Sequence, residues 1–128
     1  MTQVLDIDRL LKHHLLMCRI RAFEEAALQA NTENLVLGAI HPSIGQEAVA
    51  SGICLNLQAE DLLTSTHRGH GHTLAKGADP RAMMRELLGR EGGNSHGKGG
   101  SMHIADFSVG MLGANGVVGA NIHIAAGA

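Results

Sequence analysis

Three short stretches carry residue types that could do chemistry. The first is His67-Arg68-Gly69-His70-Gly71-His72. It follows residues 62–66 (Leu-Leu-Thr-Ser-Thr), a candidate short strand. An Arg just past the C-terminal end of a strand, ahead of glycines and a helix, stands where open α/β folds bind ligands. Arg suits phosphate, because its planar fork donates two hydrogen bonds and keeps its charge. Three His could instead suggest a metal, but steps of three and two residues do not put them on one face of a strand. A polar surface loop is the plain alternative. The second stretch, Gly92-Gly93-Asn94-Ser95-His96-Gly97-Lys98-Gly99, nearly matches a phosphate-binding loop. Gly99 stands where a Ser or Thr is needed to reach Mg²⁺, and a helix rather than a strand precedes it. A nucleoside triphosphatase is therefore rejected, and so is a dinucleotide fold. The third is His41, pushed toward extended backbone by Pro42. A loop His off any apolar stripe is either a catalytic group with a pKa near neutrality or an idle surface residue.

The elements that position these residues read mostly as helices. Asp6 caps an amphipathic helix over residues 7–31, with Leu11, Leu15, Cys18, Ala22 and Ala26 as its inward stripe and Phe23 beside it. Ser43 and Gln46 have capping-box spacing, and the helix they open turns Ala48, Val49, Gly52, Ile53 and Leu57 inward. Asp79-Pro80 starts a third helix with Met83, Met84, Leu87 and Leu88 on its apolar face and Gly89 as its stop. Ten of the seventeen glycines fall between Gly89 and Gly119. Such density implies backbone brought close to something that a Cβ would obstruct. Residues 117–128 are small and apolar all round, which predicts a buried helix that the end of the chain interrupts. Gly113, Gly116 and Gly119 recur every third residue and suggest a close-packed assembly surface.

Composition limits the possible functions. The chain has 128 residues, 45% of them hydrophobic but only 2% aromatic, so its core must be aliphatic and closely packed. Its length fits one domain or a piece of one. A formal charge of -2 with no basic cluster argues against nucleic acid. Cys18 and Cys54 lack metal or disulfide spacing and read as buried thiols. Residues 1–10 show no signal or transit pattern, and no apolar run could span a membrane, so a cytoplasmic, reducing compartment is expected.

Taken in order, these pieces resemble one family. The chain reads Phe23-Glu24-Glu25, then His41-Pro-Ser-Ile-Gly45-Gln46-Glu47-Ala48, then His67-Arg68-Gly69-His70-Gly71. It continues with Gly97-Lys98-Gly99-Gly100-Ser101-Met102-His103 and Gly113-Ala-Asn115-Gly116-Val-Val118-Gly119. This is similar to the E1 alpha subunits of pyruvate, branched-chain 2-oxo acid and acetoin dehydrogenases, from about residue 17 onward. The string of alternating His after Thr66 and the Met102–Asp106 segment look most like the acetoin branch.

The resemblance implies the N-terminal part of a thiamin-diphosphate-binding α/β fold, helix-rich, with a parallel sheet incomplete in this chain, and residues 1–128 as part of a single domain. It implies that Arg68 binds the diphosphate, with His67 where Tyr is usual, and that His41 is the active-site histidine. Gly116 would offer its backbone oxygen, and Val118 its N–H and side chain, to the aminopyrimidine. The His103–Asp106 turn would lie near the cofactor. No metal ligand falls within the chain, because the family's GDG…N motif for Mg²⁺ would follow Ala128. The implied partners are an E1 beta subunit, whose Glu activates the cofactor, in an α2β2 heterotetramer, and a lipoyl-bearing E2. The implied reaction is oxidative cleavage of acetoin, or decarboxylation of a 2-oxo acid such as pyruvate, with acyl transfer to E2. By themselves the 128 residues are expected to be inactive. The competing reading is a noncatalytic scaffold that only packs on a partner.

Overall fold

Helix α1 (Ile7–Thr32) begins where the sequence predicts. Asp6 is its cap, and the carboxylate accepts the Arg9 N–H at 3.0 Å. The computed structural model describes residues 6–128, so the leader-segment reading of residues 1–10 lies partly outside the described residues. The inward face of α1 differs from the expected one. Ile20, Phe23, Glu24 and Ala27 are buried, with Leu16 and Ala30 packed beside them. Leu11, Leu15, Cys18, Ala22 and Ala26 are exposed, so the expectation of a buried Cys18 thiol fails while that for Cys54 holds. The helix has apolar residues on two faces. The face that packs includes a carboxylate, which a hydropathy stripe scores against.

Helix α2 (Glu47–Cys54) also departs from expectation. It starts after Gln46, which makes no side-chain cap, instead of at Ser43. Ser43 is buried and gives its hydroxyl to Glu24 instead. The Glu47 carboxylate turns back to accept the Gly45 N–H at 3.0 Å. Its inward residues are Glu47, Ala50, Ser51 and Cys54, whereas Ala48, Val49 and Ile53 are exposed. The frame is set by α1 and by helix α3 (His70–Lys76), both of which pack on it.

Strand β1 (Leu63–Thr66) lies where the sequence places it. Its partner β2 (Met111–Asn115) runs parallel, pairing Ser65 with Ala114 and Thr66 with Asn115. A parallel pair needs a long crossover. That connection holds α3, helix α4 (Pro80–Leu87) and the glycine-rich loop. Asp79 caps α4 through the Arg81 N–H, Pro80 opens it, and Met83 and Leu87 are buried. Gly89 follows its end with φ +65°, as a C-terminal stop requires. The class is mixed α/β with a two-stranded parallel sheet. The core joins Ile20, Phe23, Leu74, Met83, Leu87 and Ile104.

Helix α5 (Ala120–Gly127) begins later than expected and has no buried residue; Ile122 is 74% exposed. The three glycines do not form a helical stripe. Gly113 is in β2, while Gly116 and Gly119 are in the loop before α5. A Cβ on Gly119 would meet open space, so this glycine serves a φ of +87° and not close packing. No helix among the described residues is long and apolar enough to cross a membrane.

Candidate functional site

Because β1 and β2 are parallel and pair in step from Thr64 to Thr66, after a shift between Leu63 and Thr64, the chain leaves both strands at the same edge. His67 and Arg68 follow Thr66, and Gly116 follows Asn115, the residue paired with Thr66. Gly69 makes this approach possible, since a Cβ there would lie 2.6 Å from the Ala114 Cβ. After β2 the Asn115 side chain accepts the Val117 N–H at 2.8 Å and turns the loop. A Cβ on Gly116 would come 3.5 Å from His103 Nε2, which puts the Met102–His103 turn beside it.

The His41 loop meets this edge from the side of α1. The Arg68 guanidinium donates through Nη1 to the Pro42 carbonyl. The His41 and His67 rings stand edge to face, 5.4 Å apart at 85°. Each has a buried Nδ1 with no hydrogen-bond partner. Buried polar atoms without partners are uncommon and call for a ligand or another explanation. No carboxylate pairs with Arg68 among the described residues. One half-buried guanidinium and two unsatisfied imidazole nitrogens at the carboxyl ends of parallel strands suit a phosphorylated, hydrogen-bonding ligand.

The structure thus brings His41, His67 and Arg68 together and sets Gly116 on the neighbouring strand end. Val118 stands apart: it is 84% exposed and lines an open groove with Thr64, Thr66, Asn121 and Ile122. No group of three His, Cys, Asp or Glu is placed to hold a metal among the described residues. The His67–His72 string divides, with His67 in the loop and His70 and His72 on α3. His70 is fully buried, and His72 bonds Ser65 Oγ at 2.9 Å while burial holds its pKa below the ordinary value.

Two buried carboxylates organise the site, and sequence reasoning gave neither a role. Glu24 accepts from the Ser43 N–H at 2.8 Å, the Ser43 hydroxyl at 2.7 Å and His70 Nδ1 at 2.8 Å. Burial works against its charge, but the hydrogen bonds from His70 and from the two Ser43 donors outweigh it, holding the pKa below the ordinary value. The available signals were its place in the Phe23-Glu24-Glu25 motif and its position between Phe23 and Ala27, which share its buried face. Glu86, on α4, fills the glycine-rich loop. Its Oε2 accepts the N–H groups of Ser95 and Gly97 at 2.7 and 2.8 Å. Its Oε1 accepts those of Gly99 and Gly100 at 2.7 and 3.2 Å. Burial is again opposed and outweighed, here by these backbone donors, and the pKa is lowered. The glycines do bring backbone close to something: a Cβ on Gly93 would lie 2.4 Å from Glu86 Oε2. The loop cradles an anion, but the anion is the chain's own.

The chain is 50% identical over 111 residues to the alpha subunit of an acetoin:2,6-dichlorophenolindophenol oxidoreductase from Bacillus subtilis, covering 87% of this chain and 33% of that protein. It is 48% identical over 124 residues to the subunit of the same name from Cupriavidus necator, covering 97% and 37%. Against the pyruvate dehydrogenase E1 component subunit alpha of Zymomonas mobilis the identity is 46% over 123 residues, covering 95% and 35%. The chain therefore spans about a third of the length of the curated relatives it matches. Residues 16–128 match the family described as dehydrogenase E1 component, and the chain belongs to that family.

Proposed function

We propose that this chain supplies the alpha-subunit half of a thiamin-diphosphate site, in a protein that cleaves acetoin oxidatively or decarboxylates a 2-oxo acid such as pyruvate. The observation that carries this reading is the single strand edge. There an Arg without a carboxylate partner among the described residues, two imidazoles with free buried nitrogens and the Gly116 loop converge. In this reading Arg68 holds the diphosphate and His67 flanks it. Gly116 and Val118 border the aminopyrimidine. Val118 is exposed in this chain, which suits a surface completed by a ligand or a partner. When bound, thiamin diphosphate supplies the electron sink for breaking a carbon–carbon bond beside a carbonyl. His41, with Nδ1 unpartnered, exchanges a proton with the reacting oxygen.

The partners in this reading are an E1 beta subunit in an α2β2 assembly and a lipoyl-bearing E2 that takes the acyl group. Mg²⁺ is ligated outside residues 1–128, and the compartment is cytoplasmic. The acetoin substrate is favoured over pyruvate by the names and identities of the two acetoin-type relatives. The test is reconstitution. The chain in its complete reading frame is purified with its beta subunit, and reduction of dichlorophenolindophenol is followed with acetoin or pyruvate. Cofactor-dependent reduction is expected, faster with acetoin. No reduction with any 2-oxo acid or acetoin, in a complex that binds the cofactor, would sink the proposal.

A further inference from the structure

The tripeptide His41-Pro42-Ser43 belongs to no helix or strand, yet every residue in it is held through its main chain. The His41 N–H donates to Ser101 Oγ at 2.9 Å, the Pro42 carbonyl accepts from Arg68, and the Ser43 N–H donates to Glu24 Oε1 at 2.8 Å. The first and last of these contacts are the two ends of one buried chain. Glu24 Oε2 meets His70 Nδ1 at 2.8 Å, and His70 Nε2 meets Ser101 Oγ at 3.0 Å. Glu24 and His70 are 0% exposed and Ser101 is 3% exposed.

A neutral His70 with its proton on Nδ1 gives each of these groups a partner. Nδ1–H donates to Glu24, Nε2 accepts the Ser101 hydroxyl proton, and the Ser101 oxygen accepts the His41 N–H. Buried polar networks that are fully satisfied rigidify what they touch. The order acid, imidazole, hydroxyl is that of a hydrolytic triad. Ser101 is not a nucleophile here, because it is sealed from solvent and its oxygen already serves His41.

We propose that Glu24, His70 and Ser101 form a buried clamp that fixes His41 by its backbone and makes no hydrogen bond to its ring, making His70 and Ser101 positioning residues for the reaction. The clamp links α1, α3 and the glycine-rich loop to a segment with no regular structure of its own. It leaves the buried His41 Nδ1 without a hydrogen-bond partner of its own. Catalysis needs such groups placed to within a fraction of an ångström. This inference rests on the reading of His41 as the active-site histidine.

The test uses the assembled holoenzyme and the variants Ser101→Ala, Ser101→Thr, His70→Gln, His41→Ala and the double variant His41→Ala/Ser101→Ala. Ser101→Ala is expected to speed hydrogen exchange in peptides spanning His41. It is also expected to lower kcat by up to about a hundredfold, the effect of a small misplacement, with KM unchanged. Ser101→Thr keeps the hydroxyl and restores both readouts. In the double variant the loss equals that of His41→Ala alone, because Ser101 acts through His41. Unchanged exchange and kcat in Ser101→Ala, or losses that multiply in the double variant, would overturn the clamp. If Ser101→Ala does not fold, His70→Gln carries the same exchange and kcat comparison. Full turnover in His41→Ala would instead remove the active-site reading of His41, and the exchange measurement would still decide the clamp.

Discussion

Arg68 commits Nη1 to the Pro42 carbonyl, and its remaining donors face no carboxylate among the described residues. In the assembled protein, Arg68→Ala should weaken thiamin diphosphate binding by about 1.5–3 kcal/mol, the range for hydrogen bonds to charged groups. Arg68→Lys should recover part of this, since a point charge lacks the fork. Titration calorimetry checks both, and wild-type affinity in the alanine variant would remove Arg68 from the diphosphate site. His41→Ala should act differently. Its ring stands against His67 and takes no part in the Arg68 hydrogen bond, and the loss of a proton-exchanging group should lower turnover by roughly a hundred- to ten-thousandfold with cofactor affinity kept. A steady-state assay with an artificial oxidant, paired with the same calorimetry, separates the two effects.

Glu24 and Glu86 both have pKa values lowered from 4.5, so in acid the folded state takes up fewer protons than the unfolded one. Their contribution is therefore present above the ordinary carboxylate pKa and is lost as pH falls below it. Glu86→Gln turns an amide NH₂ toward two of the four N–H donors and should cost about 1–3 kcal/mol at pH 7. It should also flatten the acid side of the stability curve. Urea denaturation from pH 7 to pH 3 would show this, and a variant with the wild-type curve would mean that the loop does not depend on the carboxylate.

At the scale of elements, local chemistry is legible in the sequence and packing is not. Asp6 and Asp79-Pro80 announce their helices because a cap is a short-range interaction that the sequence displays directly. Strand β2 hides in a glycine-rich run, because Met111-Leu-Gly-Ala-Asn115 becomes a strand only by pairing with β1. The inward faces of α1 and α2 differ from the expected ones for a related reason. Which stripe packs depends on neighbours far along the chain, and on α1 the winning stripe contains Glu24, whose partners are 19 and 46 residues away. The site is legible where its residues are adjacent, as in His67-Arg68, and illegible where they meet only in space. Gly69 gives this a test. A Cβ added there would sit 2.6 Å from that of Ala114, so Gly69→Ala should push the β1 exit off β2. The overpacking should cost about 1–3 kcal/mol. A melting temperature unchanged from wild type would show that the two turns slide apart freely.

Across the whole molecule, apolar surface remains uncovered. Leu11 and Leu15 on α1, Val49 and Ile53 on α2, and Ile122 and Ile124 on α5 are each exposed by 45% or more. Apolar surface on that scale marks interfaces or aggregation. The 128 residues alone should therefore self-associate, with light scattering as the measurement, and a monodisperse monomer would contradict this. The glycine-rich loop has a further consequence for how the chain can change length. Exposed glycine loops usually accept inserted residues with little penalty. This one is anchored to Glu86 by amides 9, 11, 13 and 14 residues further on, two to each carboxylate oxygen. One added residue before Ser95 would put the wrong amides opposite both oxygens at once. Although it has the composition of a linker, the segment should be as intolerant of insertion as a core strand, and its length should be fixed by the reach of one side chain.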